Sequence, residues 1–169
     1  MNIYDATALD RMHLQEIGLF PYMLDFTREM IMHQSGNQII TKMDNRLATI
    51  TPFSGLRILR NGYQQGAKFT GAEMRDVMKI IIFVLDELYS SDDIINQNNA
   101  EDKLHANFID YKKLIQCFIK FVKMYITSRK EKFNEDELNN FEVIILSCDL
   151  VFNLIYLIKL NFCIVARNC

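Results

Sequence analysis

The feature that most constrains this chain is an apolar run near its C-terminal end. Of the 24 residues 143–166, 19 are apolar, all but Ser147, Asp149, Asn153, Lys159 and Asn161. A run of that length raises the question of a membrane span, which needs about 20 apolar residues. The longest stretch free of charge, however, is only 150–158, closed by Asp149 and Lys159. Its flanking polar groups would need partners in lipid. The run therefore reads as a long helix at the centre of a helical bundle. Leu150, Phe152, Leu154, Ile155, Leu157 and Ile158 form its core or contact face, and membrane association or a buried oligomer contact are the alternatives.

The rest of the chain is consistent with a bundle. Its 169 residues suffice for one domain with a core of its own, and half of them are hydrophobic, with six glycines and two prolines. The expected fold is all-α: a single domain over 1–169, of about five to seven helices around the C-terminal one, with a polar loop or hinge over 90–102. In that segment Ser90, Ser91, Asp92, Asp93 and the run Asn96 to Asn99 outnumber the apolar residues. The first fifteen residues carry Asp5 and Asp10 and no basic region followed by an apolar stretch, so they do not read as a secretory signal, and an intracellular protein is expected. Cys117, Cys148, Cys163 and Cys169 follow neither a zinc spacing nor a disulfide framework and read as free thiols.

Helix signals recur along the chain. A short helix is expected over 6–17, ending near Gly18. Pro21 opens a second in which Met23, Phe26 and Met30 recur at helical spacing, and Gly36 stops it. Residues 37–48 suit a third helix, but the β-branched Ile39, Ile40 and Thr41 also suit extended pieces. Thr51-Pro52 reads as a cap and first-turn proline of a short helix reaching Asn61-Gly62. Thr70 and Glu73 have the form of a capping box, opening a helix to about Tyr89 whose middle is expected to be buried nearly all round. Leu104, Phe108, Tyr111, Ile115, Phe118, Val122 and Tyr125 alternate steps of four and three, with Ile119 and Ile126 widening the stripe, which reads as bundle packing. Asn134 before Glu135, Asp136 and Glu137 starts the last helix.

Residues for chemistry are scattered. His13, His33 and His105 fall on different elements with no second ligand at metal-binding spacing, so no metal, cofactor or catalytic residue is assigned, and a non-enzymatic protein is expected. The glycines of the segment 66–73 are spaced as in a phosphate loop, but Ala72 and Glu73 stand where Lys and Ser or Thr are needed, and no strand precedes them. The paired carboxylates Asp86-Glu87 and Asp92-Asp93 read as solvated groups.

One charged feature stands out. Lys112, Lys113, Lys120, Lys123, Arg129, Lys130 and Lys132 are opposed within their span only by Glu131, and they lie mainly away from the apolar stripe. They read as a solvated face or as a candidate basic contact face for an acidic protein, an anionic membrane or, last in rank, nucleic acid, for which stacking aromatics are few; a protein partner or homo-oligomer is expected for the chain as a whole.

The texture, rich in Asn, Ile, Met, Phe and Lys and without Trp, together with the stretch Phe20-Pro21-Tyr22-Met23-Leu24-Asp25-Phe26, resembles small conserved baculovirus proteins that serve nucleocapsid assembly and egress. The resemblance implies a non-enzymatic protein of the infected cell, in host nucleus or cytoplasm, acting through protein or membrane contacts. In outline the chain is also similar to viral apoptosis regulators, whose groove motifs it lacks.

Overall fold

The computed structural model describes residues 12–57, 59–63, 68–90 and 109–147. A wide π-helical stretch, Met12–Leu19, runs straight into α1 (Phe20–Ser35). It is followed by α2 (Asn37–Thr49), α3 (Gly71–Leu85), α4 (Tyr111–Thr127) and α5, helical over 135–147. There is no strand among the described residues. The chain divides into two compact units, Met1–Asn99 and Ala100–Cys169. Most of the loop expected over 90–102, and of the C-terminal run, including Leu150, Phe152, Leu154, Ile155, Leu157 and Ile158, lies outside the described residues.

In the first unit, α1 packs on the π-helical stretch and on α2, α2 packs on α3, and α3 closes the circuit on the π-helical stretch. Phe20, Leu24 and Ile31 of α1, Met43 and Leu47 of α2, and Met74, Ile81 and Leu85 of α3 fill the interior with almost no exposure. Burying side chains of this size contributes roughly 1.5–3 kcal/mol each.

The N-terminal boundary differs from the expectation. Gly18 does not end a helix; it sits inside the wide turn, where an added Cβ would lie 2.6 Å from the His13 carbonyl oxygen. Glycine thus permits the π geometry, and the chain enters α1 through helical backbone at Leu19 without a side-chain cap, with Pro21 in the first turn of α1. Gly36 does stop α1: at φ +81° it donates its N–H to the Met32 carbonyl oxygen at 3.0 Å. The ambiguous segment after it is helical, because Ile39, Ile40, Met43 and Leu47 share one face and bury it. Tertiary burial outweighs their β propensity.

The short helix expected after Thr51-Pro52 does not form. Gly55 takes φ +82°, and the segment's backbone donors turn to side chains, among them the Arg57 N–H that a helix would use. The Arg57 N–H donates to Asp76 at 2.9 Å and the Tyr63 N–H to Asp44 at 3.1 Å. Gly62, at φ +68°, lies so close to Asp44 that an added Cβ would meet its side chain at 2.5 Å.

The capping box of α3 is complete: Thr70 Oγ1 accepts from the Glu73 N–H at 3.3 Å and the Glu73 carboxylate accepts from the Thr70 N–H at 2.7 Å. These bonds hold the Glu73 carboxyl below its usual range. α3 ends at Leu85, earlier than expected, because α2 supplies its C-terminal cap. Arg46 donates to the carbonyl oxygens of Val84 (3.0 Å), Asp86 and Glu87 (3.2 Å), and Lys42 donates to Leu88 (2.8 Å). Arg46 satisfies the Val84 carbonyl of the last turn, both cations hold carbonyls of the segment just beyond it, and their charge opposes the negative end of the helix dipole. Phe83 corrects the all-round burial expected for this helix, since it is 71% exposed.

Candidate interaction face on α4

Asp110 starts α4 by accepting from the Lys112 N–H at 3.1 Å, as an N-cap aspartate does. Along the helix, Leu114, Phe118, Phe121 and Tyr125 are buried and step by four, three and four residues. A second row lies one residue further on: Ile115, Ile119, Val122 and Ile126 repeat the same steps. Here Ile115 and Val122 are half-buried, while Ile119 and Ile126 are 46% and 62% exposed. Each row is a seam of the kind one helix offers another. The first is covered and the second is open.

The seam expected from sequence, Tyr111 to Tyr125, runs between these two rows. It shares Phe118 and Tyr125 with the buried one, and Ile115 and Val122 with the open one. Its Leu104 and Phe108 lie outside the described residues. Ile119 and Ile126, which looked like a mere widening of one stripe, belong to a second surface. The signal was present in the repeated four-three steps.

The basic face divides in two. Only Lys112, Lys113, Lys120 and Lys123 lie on α4, whereas Arg129, Lys130 and Lys132 occupy the turn that leads to α5. Lys112 and Lys123, eleven residues or three turns apart, border the open seam, and Lys113 and Lys120 lie further round. The ammonium of Lys112 lies 5.9 Å from the Tyr111 ring centroid, and the Arg129 guanidinium lies the same distance from that of Tyr125. Lys130 pairs with Glu137 at 2.9 Å. Among the described residues, Lys113, Lys120 and Lys123 have no carboxylate within ion-pair reach.

α5 has the opposite polarity. Asn134 caps it, accepting from the Glu137 N–H at 2.8 Å, while the Glu137 carboxylate accepts from the Asn134 N–H at 3.3 Å. The bond from Lys130, followed by that from Asn134, holds the Glu137 carboxyl below its usual range. Phe133 stacks on Phe141 with centroids 5.6 Å apart. Glu135, Asp136 and Glu142 are exposed, and so are Leu138 at 57% and Ile145 at 37%.

Groups with chemical potential also occur in the first unit, where they hold one another. Arg28 forks onto Asp44 at 2.6 and 2.9 Å and lies over the Tyr63 ring, 5.7 Å from its centroid. Tyr63 stacks on Phe69 and hydrogen-bonds Asp25. Burial, reinforced by the Asp25 carboxylate, raises the Tyr63 phenol well above its ordinary value. Among the described residues, no three or more His, Cys, Asp or Glu side chains are grouped so as to hold a metal ion, and no helix is long and apolar enough to cross a membrane. Cys117 is half-buried and not part of a disulfide. No family model, curated protein or solved structure matches this chain.

Proposed function

We propose that the chain is a non-enzymatic helical interaction or assembly protein whose working surface is the open seam of α4 with its lysine border. The observation that supports this is the second row, Ile115, Ile119, Val122 and Ile126, left partly in solvent beside Lys112 and Lys123. An apolar row edged by one sign of charge suits an amphipathic helix edged by the other. A protein of this kind fits the assembly role that the resemblance of residues 20–26 implies, in an infected cell.

The test uses a synthetic helical peptide with leucine at its seam positions and glutamate on its flank, titrated into the full chain and followed by fluorescence anisotropy. Binding that weakens with salt and is abolished by Ile119→Asp with Ile126→Asp is expected. Equal binding by that double variant sinks the reading, provided circular dichroism shows its helices intact.

Exposed isoleucines among lysines also favour a second reading, peripheral attachment to an anionic membrane. Flotation with phosphatidylserine vesicles separates the two: the membrane reading requires the chain to float and the same isoleucine variants to sink.

A further inference from the structure

The polarity of α5 matches that of the α4 seam in detail. In the repeat that places Ile119 and Ile126 at one seam position, Lys123 occupies the flanking position of α4, and Lys130, seven residues on, already lies in the turn beyond the helix. In the repeat that places Leu138 and Ile145 at that seam position, Glu135 and Glu142 occupy the same flank, also seven residues apart. Residues seven apart fall on nearly one line of a helix, about 10.5 Å from end to end. When two helices pack antiparallel, these flanks face each other and set partner and orientation by charge. Lys130 is already held by Glu137 of its own chain, while among the described residues Lys123 and Glu142 have no ion-pair partner.

We propose that the occupant of the α4 seam is a second copy of this chain, whose α5 lies antiparallel on it with Lys123 facing Glu142. One surface is apolar with a basic edge and the other apolar with an acidic edge, and every copy carries both. A two-fold pairing engages both surfaces at once, α4 of each copy on α5 of the other, so that each contact is made twice. This rests on the reading of the seam as a helix-binding surface and adds its partner. The charges provide register and specificity, and the isoleucines and leucine provide the buried area.

The experiment is sedimentation of the full chain across micromolar concentrations at low ionic strength, with the charge-reversed variants Lys123→Glu and Glu142→Lys. A self-associated species is expected, weakened about tenfold or more in either variant and recovered when the two are mixed, because like charges face each other in each variant alone and opposite charges meet in the mixture. A chain that stays monomeric overturns the proposal, as does association unchanged in both variants or lost in both without recovery on mixing. A monomeric chain that still binds the synthetic acidic peptide removes only the second copy as occupant. One that binds neither removes the interaction reading as well.

Discussion

The two units of this chain use charge in opposite ways. In Met1–Asn99 the cations of α1 and α2 turn onto specific acceptors: Arg28 onto Asp44, Arg46 and Lys42 onto the carbonyls that end α3. In Ala100–Cys169, Lys112 and Lys123 of α4 are exposed beside an open apolar row, and Glu135, Asp136 and Glu142 of α5 are exposed in their turn. Charge that is satisfied internally fixes where helices stop and how they pack. Charge left at the border of an apolar seam has its effect only when something else arrives. The contrast is between charge satisfied within the first unit and charge left in solvent in the second, where the proposed recognition surface lies, and substitutions can break it from either side.

The largest effect is expected at Asp44. Asp44→Ala leaves the Arg28 guanidinium without its fork and the Tyr63 N–H without its acceptor, in a part-buried setting. A loss of about 2–3 kcal/mol is expected in urea unfolding, below the full cost of stranding a wholly buried charge. The same cluster gives a pH dependence. An unfolded tyrosine releases its proton near pH 10, whereas the folded Tyr63 holds its own to higher pH because of burial and the Asp25 carboxylate. Its contribution is therefore complete below about pH 10 and is lost as pH rises toward the folded value. Stability measured between about pH 9 and 11 falls less steeply in Tyr63→Phe than in the parent chain if that cluster is intact.

Smaller effects test the helix ends. Arg46→Met keeps most of the stem and removes the donors that reach Val84, Asp86 and Glu87. A loss of about 2 kcal/mol is expected by thermal or urea unfolding, since hydrogen bonds from a charged donor contribute roughly 1.5–3 kcal/mol. Thr70→Ala removes one half of the α3 capping box and should cost about 1 kcal/mol. If Arg46→Met cost no more than Thr70→Ala, the distinction between long-range and local capping would fail.

What the sequence made legible follows the same division. Local signals, in which a side chain serves its own helix, were readable: Thr70 with Glu73, Asn134 with Glu137 and Gly36 at an end all act as their chemistry indicates. Long-range claims on the backbone were not. Nothing near residue 57 shows that Asp76 takes its N–H, and nothing near residue 85 shows that Arg46, 38 residues before Val84, ends that helix. These contacts exist only after α2, α3 and the turn between them have met. On α4 the heptad steps and the lysines were legible, but one stripe was expected where two rows exist. Periodicity places residues on a face and does not show how much of that face a neighbour covers. The burial of Phe121 beside the exposure of Ile119 supplies that distinction.

The smallest effect on stability should accompany the largest effect on association. Lys112, Lys113 and Lys123 are exposed, and none is paired with a carboxylate among the described residues. Reversing Lys123 to Glu should therefore move unfolding by no more than about 0.5 kcal/mol, as is usual for exposed sites away from special contacts. The same change places a negative charge at the edge of a surface proposed to receive Glu142, so association should fall while stability stays. Lys113→Glu is the control: it lies further round α4, away from the open seam, and should alter neither. Equal losses of association in both variants would show that only net charge matters. Loss confined to Lys123→Glu would instead assign the effect to a register, because the two reversals change the net charge equally but only Lys123 borders Ile119 and Ile126.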